Sequence, residues 1–200
     1  MKNYYLLSWG HKRDLASANA LQALKSDHEL IAQLGDEKSL PFDFELRRVI
    51  ETGNGLVVNN DLARLSQTWL DYQPNNLAWP LMSERLRSVI ESNLTGKEMV
   101  DWITCKVKGV DGERLYFILR FKERLDVLDV EKTTFVHGTD HVIKPVFKGS
   151  KVARFGIFHK PLSHELWKIT PGLYISETVK EDIWRQKLTG MDFEKVSVSW

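Results

Sequence analysis

The sequence is short of the features that mark several large classes of protein. It has one cysteine, Cys105, in 200 residues, so it cannot form an internal disulfide and suits a reducing compartment. No apolar run approaches the roughly 18 residues of a transmembrane helix, and the N-terminal run at residues 4–7 is too short for a secretory signal. We therefore expect a cytoplasmic protein that folds without covalent cross-links and has no membrane partner.

The sequence also lacks an excess of charge of either sign. Lys and Arg together number 28 and Asp and Glu 27, so the formal net charge is +1. This balance argues against a nucleic-acid partner, because affinity for nucleic acid usually rests on a broad basic face. Seven Trp and nine Phe provide for a substantial core. We expect one domain over residues 1–200, with an N-terminal subdomain over residues 1–76 as a further possibility.

Familiar catalytic motifs are missing as well. There is no P-loop, and the single Gly-x-Gly, at Gly53 and Gly55, lacks the third glycine and the strand–helix context of a dinucleotide site. Cys105 lies in an apolar stretch without a neighbouring His, which is typical of a small buried hydrophobe. No cofactor or metal is therefore expected, and the chain is predicted not to be an enzyme.

A short segment that occurs twice is the most distinctive feature present. SERLRSVIESNLTG runs from Ser83 to Gly96, and SETVKEDIWRQKLTG runs from Ser176 to Gly190. In each segment a serine follows apolar residues and precedes others at helical spacing, which is typical of a helix N-cap. We predict that Ser83 and Ser176 cap two helices, and that Gly96 and Gly190 end them in the left-handed conformation.

The two segments predict a repeated strand–helix–strand unit rather than a catalytic motif. A reactive serine is disfavoured because the Gly-x-Ser-x-Gly context is absent from both segments. On the capping interpretation, Ser176→Ala costs about 1 kcal/mol of stability and leaves partner binding unchanged. The predicted buried stripes are Leu86, Val89, Ile90 and Leu94 in one helix and Val179, Ile183, Trp184 and Leu188 in the other.

The rest of the pattern predicts more strand than helix. Short apolar runs separated by turn residues fill the second half, as in a meandering antiparallel sheet. The first half predicts strands at NYYLLSW and PFDFELRRV, a helix over residues 15–34 closed by Gly35, and a short helix at DLARLSQTWLDY. Because helices do not alternate regularly with strands, the expected fold is α+β, mostly antiparallel sheet with a few packed helices.

One pair of histidines has the spacing of a metal site. His137 and His141 in FVHGTDHV are four residues apart, and on a helix they would share one face. Gly138 and the β-branched neighbours favour a turn between two strands instead. The alternative interpretation of this sequence is a metal-dependent or other hydrolase that uses this histidine pair or the acidic cluster described next.

Three carboxylates form the other candidate cluster. Asp126, Asp129 and Glu131 lie in RLDVLDVEKT, where carboxylates of this kind would serve acid–base chemistry, bind Mg²⁺ or meet a partner. In a strand, Asp129 and Glu131 share a face and Asp126 points to the other. The simpler interpretation is a solvated strand edge near Arg124 and Lys132. As a functional site we take the three acids as candidate partner-binding residues, or as the second possible site of the alternative hydrolase.

Four motifs over residues 81–198 carry a resemblance to a known family. In order they are LMSERLRSVIESNLTG, RLYFILRFKERLDVLDVEKT, ARFGIFHK and LYISETVKEDIWRQKLTGMDFEKV. This order resembles the Imm11-type family of bacterial immunity proteins, in which a Ser-Glu helix, an aromatic strand leading to an Asp-rich element and a closing Ser-Glu helix with Thr-Gly follow one another. The aromatic strand corresponds here to Tyr116 and Phe117, and the closing unit ends at Thr189, Gly190 and Phe193.

The resemblance implies a protein that protects a bacterium from a toxin used in competition between cells. Such a protein is encoded beside the secreted toxin of a polymorphic system, for example one delivered by type VI secretion. It binds the cognate toxin in the cytoplasm and occludes its active region, which requires no catalytic site. In that setting the acidic residues 126–131 are expected to face a basic cleft of the toxin.

Overall fold

The computed structural model describes residues 2–21, 25–161 and 164–200. None of the helices in these ranges has the length and apolar character needed to cross a membrane. The helices are α1 (Asp27–Leu34), α2 (Glu84–Ser92), α3 (Gly149–Val152) and α4 (Glu177–Arg185), and a 3-10 turn covers His164–Trp167. The strands are β1 (Tyr4–Trp9), β2 (Asp14–Asn19), β3 (Phe44–Thr52), β4 (Gly55–Asn59), β5 (Tyr72–Gln73), β6 (Leu81–Met82), β7 (Val100–Gly109), β8 (Gly112–Phe121), β9 (Thr134–Phe135), β10 (Val142–Lys144), β11 (Phe147–Lys148), β12 (Ile157–His159), β13 (Leu173–Ser176), β14 (Met191–Lys195) and β15 (Val198–Ser199).

A four-stranded antiparallel sheet joins the two ends of the chain. Its order is β12-β13-β1-β14, so the N-terminal strand β1 lies between two strands from the last thirty residues. Tyr5 of β1 is opposite Ile175 of β13 on one side and Lys195 of β14 on the other. The predicted strand at NYYLLSW is confirmed as the interior strand β1.

A seven-stranded sheet makes up the other half of the fold. Its order is β2-β3-β7-β8-β6-β5, with β4 paired to the far end of β3. The sheet curls until its ends meet, because the Ala18 N–H donates to Pro74 O at 2.8 Å and the Gln73 side chain donates to Ala16 O at 2.7 Å. Most pairings are antiparallel, and the predicted α+β class is confirmed.

Two hydrophobic cores follow from these two sheets. The first joins side chains of the four-stranded sheet to α2 and α4, and Tyr4 and Ile183 in it are fully buried. The second lies within the curled sheet and includes Phe44 and Trp79. Strand β6 separates the cores, since Leu81 belongs to the second and its neighbour Met82 to the first. Successive side chains of a strand point to opposite faces, so one short strand serves both cores.

The predicted helix over residues 15–34 is wrong in its first part. Residues 14–19 form β2, which pairs with β3 over six residues and buries Ala16 and Ala18 completely. Helix α1 is confirmed only from residue 27 onward, and Gly35 follows it at φ +47°, as expected. Residues 22–24, which fall within the predicted helix, lie outside the described residues. Pairing with a distant strand outweighs local helix spacing here.

The predicted helix at DLARLSQTWLDY is also wrong. The described chain is irregular from residue 60 to residue 71, and its polar groups bind other elements. The Tyr116 hydroxyl donates to Leu70 O at 2.7 Å, and the Tyr72 N–H donates to Thr189 O at 3.0 Å. These partners replace the bonds that a helix would make. The predicted strand at PFDFELRRV is confirmed as β3, with Phe44 and Leu46 buried.

Candidate functional site

The repeated segments form α2 and α4, as predicted, but only one serine makes a capping hydrogen bond. The Ser83 hydroxyl accepts from the Leu86 N–H at 3.2 Å, which confirms the first cap. Ser176 has the same extended backbone, yet its side chain makes no capping bond to α4. The capping role predicted for Ser176 is therefore wrong. Ser176 is the last residue of β13 and pairs with Tyr4, so the sheet fixes its orientation.

The glycines do not end the helices, and that prediction is wrong. Helix α2 is followed by Asn93 as its C-cap, three residues before Gly96. Helix α4 is followed by Gln186 as its C-cap, and the next residue, Lys187, has the left-handed conformation at φ +52°. Gly96 and Gly190 do have positive φ, at +80° and +93°, but they lie in the loops beyond. The last turn of each helix thus ends before the repeated Leu-Thr-Gly.

Gly190 instead allows a close approach between two segments. A Cβ added there would lie 2.5 Å from Tyr72 O and 2.8 Å from Leu70 Cβ, whereas one added at Gly96 would meet nothing within 4 Å. Burial in the predicted stripes is confirmed for Val179 and Ile183. It is wrong for Trp184, which is 61% exposed.

A buried carboxylate, Asp71, joins the start of the first repeat to the end of the second. Asp71 is 6% exposed. It accepts from the Ser83 hydroxyl at 2.7 Å and from the Thr189 N–H at 2.9 Å. Arg85 of α2 reaches both Asp71, at 3.4 Å, and the Gln186 carbonyl at the end of α4, at 2.8 Å. The two helices are therefore fixed to each other beside Asp71.

A cleft of about 330 Å³ opens next to this junction. Ser83 and Thr189 line it on one side, and Trp69, Arg114 and Tyr116 line it on the other. The cleft lies where the two repeats, the irregular segment 60–71 and strand β8 meet. A second cleft of about 440 Å³ lies between that segment and the tip of the β7–β8 hairpin.

Trp69, Asp111 and Arg114 form a ridge that borders both clefts. The Trp69 indole N–H donates to Asp111 at 2.9 Å, and the Arg114 guanidinium carbon lies 4.4 Å from the Trp69 ring centroid. Tyr116 stacks with Trp69 at an interplanar angle of 21°. Trp69 and Arg114 line the first cleft, and Asp111 lines the second. Asp111 accepts from the indole N–H while Arg114 and Tyr116 stack on the ring, so this Trp69–Asp111–Arg114 ridge is preorganised.

Exposed apolar side chains lie in both clefts. Val110, at the tip of the β7–β8 hairpin, is 82% exposed and lines the second cleft. Leu115 is 54% exposed and lines the first. A preorganised aromatic–Arg ridge beside exposed apolar side chains is chemically suited to contact with another protein.

The three predicted partner-binding acids do not form one patch. They lie in an irregular stretch and a turn, so the predicted strand is wrong. Asp126 is exposed and accepts from Lys151 Nζ at 2.7 Å, and Glu131 is exposed. Asp129 is 8% exposed, and a hydrogen bond from the Ser199 hydroxyl holds its pKa below the ordinary value. Asp129 thus anchors the C-terminal strand β15, and of the three acids only Asp126 and Glu131 are exposed.

The histidine pair lies in a hairpin turn, which confirms that prediction. His137 and His141 are both exposed between β9 and β10, where the Val136 N–H donates to His141 O at 2.8 Å. Among the residues that the structure describes, no three His, Cys, Asp or Glu side chains are grouped to hold a metal ion. Cys105 is 3% exposed and burial raises the pKa of its thiol, so it is the buried hydrophobe that was predicted.

The sequence does not indicate the ridge, because its local pattern predicts a helix around Trp69. Its partners, Asp111 and Arg114, follow Trp69 by more than forty residues, and no local pattern links them. Gly109 gives the one local hint, since an added Cβ there would lie 2.6 Å from the Trp69 ring. The sequence alone does not reveal which glycines at strand ends are required because a large side chain packs against them.

Comparison with protein families supplies the class of this protein. Residues 56–198 match the family model described as the immunity protein family Imm11. The match covers more than half of the chain, so the chain belongs to the Imm11 family, and the resemblance in the motifs is confirmed. A comparison with curated proteins finds no match. The matched segment begins on β4, earlier than the motifs indicated, and contains the whole Trp69–Asp111–Arg114 ridge.

Proposed function

We propose that this chain is the immunity protein of a bacterial toxin system and neutralises its toxin by binding it and covering its active region. Membership of the Imm11 family over residues 56–198 carries the proposal. The toxin is the product of the adjacent gene, and the complex forms in the cytoplasm of the producing or sibling cell. Inhibition by occlusion requires a rigid contact surface and no reactive group.

The Trp69–Asp111–Arg114 ridge is the contact surface that the described residues favour. Trp, Tyr and Arg are the residue types that contribute most to binding at protein interfaces, especially beside pockets that exclude water. Trp69 and Arg114 are already stacked, so little side-chain freedom is lost when a partner binds. Asp126 and Glu131 remain the second proposed contact. Exposed acids at the border of an interface mainly increase the rate of association with a basic partner.

Protection of growing cells tests the proposed function. The toxin domain encoded next to this gene is expressed in sensitive cells with and without the chain, and a pull-down measures complex formation. We expect growth to be restored and the two proteins to elute together. Continued growth arrest, together with no complex in the pull-down, would contradict the proposal.

Charge reversal at exposed side chains distinguishes the two contact surfaces. Arg114 is 54% exposed, and Arg114→Glu removes its contact with Trp69. We expect at least a tenfold loss of affinity, measured by calorimetry. Glu131→Lys is the matched change in the acidic stretch, and we expect it to slow association without a comparable change in dissociation. Unchanged binding by Arg114→Glu would exclude the ridge and leave the family-based proposal intact.

A further inference from the structure

The edge strands of the two sheets differ in how they are protected from other chains. Strand β14, at the edge of the four-stranded sheet, carries the exposed charged residues Asp192, Glu194 and Lys195. Charged side chains on an edge strand normally prevent pairing with another protein. Strand β4 pairs only with β3, and residues 52–60 contain no charged side chain.

Strand β4 is also strongly apolar on its surface. Leu56, Val57 and Val58 are 71%, 47% and 54% exposed. Leu56 and Val58 lie on the same face as Val49 of β3, and Val57 lies on the opposite face with Ile50. Both faces beside this edge would therefore gain apolar contacts from one added strand.

The backbone of β4 offers free hydrogen-bonding groups along its outer edge. The Glu51 N–H donates to Arg13 O at 2.7 Å, so it points away from β4. Leu56 is opposite Glu51, and in an antiparallel pair its own N–H and C=O therefore point away from β3. Val58, two residues on, has the same orientation. Within the described part of the chain, neither residue has a backbone partner on that side.

The size of this edge argues against a second copy of the chain as its occupant. Leu56, Val57 and Val58 together expose on the order of 300 Å², whereas a stable interface buries roughly 800 Å² on each partner. A partner that also contacts the second cleft would bury more surface, because β4 leads directly into that cleft. Asn60 and Asp61 follow β4 and line that cleft with Val110.

We infer that β4 is a strand-pairing site for an extended, uncharged segment of the toxin. The inference rests on the proposed function and adds the contact mode to it. Backbone groups of Leu56 and Val58 hydrogen-bond the added strand, and apolar side chains of the toxin cover both faces. A charged segment is excluded because β4 offers it no opposite charge. The added strand ends beside the second cleft and the Trp69–Asp111–Arg114 ridge.

Two variants of the edge test the inference in the full-length chain. Leu56→Lys/Val58→Lys places charges on the edge, and we expect it to weaken toxin binding at least a hundredfold. Val58→Pro removes only an outward N–H, which the β3–β4 pair does not use, and should weaken binding about tenfold. The control is Val136→Lys/Ile143→Lys, the same change at exposed aliphatic residues of the β9–β10 hairpin, with affinity unchanged. Circular dichroism and thermal melting verify that each variant is folded.

The outcomes separate this inference from the proposed function. Wild-type affinity in the folded Leu56→Lys/Val58→Lys variant overturns the strand-pairing site while the immunity function stands. No complex with the wild-type chain overturns both. The oligomeric state is measured by light scattering without toxin. A wild-type dimer that becomes monomeric on Leu56→Lys/Val58→Lys would assign the edge to a second copy and overturn the toxin as its occupant.

Discussion

The strand–helix–strand units around α2 and α4 have similar sequences, but different parts of the chain hold their ends. In each unit an isoleucine, Ile90 or Ile183, is completely buried in the first core. In each, a cation in the fourth helical position lies over aromatic rings. The Arg87 guanidinium carbon is 4.5 Å from the Phe117 ring centroid, and Lys180 Nζ is 3.8 Å from that of Tyr5.

Two buried carboxylates outside the repeated segments hold the ends of the units, and they do so differently. Asp71 holds Ser83 of the first unit and Thr189 of the second. Beyond the C-terminal end of α2, Glu98 is 1% exposed and accepts from the Thr95 N–H at 2.9 Å and the Gly156 N–H at 2.7 Å. Similar local sequence therefore produces similar helices, while the ends of each unit depend on residues outside the repeated segment.

The buried isoleucines test whether the two helices are equivalent. We expect Ile90→Ala and Ile183→Ala each to cost about 3 to 4 kcal/mol, because both remove a fully buried side chain from the same core. Urea unfolding monitored by tryptophan fluorescence measures the free energy of unfolding. A cost below about 1 kcal/mol at either site would mean that its helix is not anchored in the core.

The two glycines should differ although both follow Leu-Thr. Gly190→Ala should cost about 3 kcal/mol, since the added Cβ collides with Tyr72 O in addition to the strain of positive φ. Gly96→Ala, with open space around it, should cost only about 1 kcal/mol. Thermal melts of the two variants provide the comparison. Equal losses of stability would show that φ alone matters at both positions.

The buried carboxylates should tolerate an amide unequally. Glu98→Gln should cost about 2 kcal/mol, because both carboxylate oxygens accept from N–H groups and an amide nitrogen cannot accept. Asp71→Asn should cost about 1 kcal/mol, because the Ser83 hydroxyl can turn to accept from the amide. Urea unfolding of both variants measures the free energy of unfolding. A larger loss of stability for Asp71→Asn than for Glu98→Gln would contradict this ranking of the two carboxylates.

The serines should show the smallest difference. Ser83→Ala removes the bond from the Leu86 N–H and the hydroxyl's bond to Asp71, and should cost about 1 kcal/mol or more. Ser176→Ala removes no capping bond and should change the free energy of unfolding by less than about 0.5 kcal/mol. Chemical unfolding of the single and double variants measures both. A loss of about 1 kcal/mol at Ser176 would restore the capping role that the sequence indicated.

The parts of the fold that could be predicted are those with strong local periodicity. Helices α2 and α4 and strands β1 and β3 were recognised because their apolar residues repeat at helical or strand spacing. Strand β2 and the irregular segment 60–71 were not, since β2 is defined by six pairs with β3 and the segment by bonds to β8 and to the loop before β14. Of the proposed contact surfaces, the sequence indicates Asp126 and Glu131, and it indicates neither the ridge nor the β4 edge.

The sequence by itself determined the α+β class, the two repeated helices and the membership of the Imm11 family, because each depends on the order and spacing of neighbouring residues. Only the tertiary structure decided which serine caps its helix, why Gly190 has no side chain and where Trp69 meets Arg114. The physical reason is the separation of the partners along the chain. Asp71 and Thr189 are 118 residues apart, and only the folded chain brings them within hydrogen-bond distance.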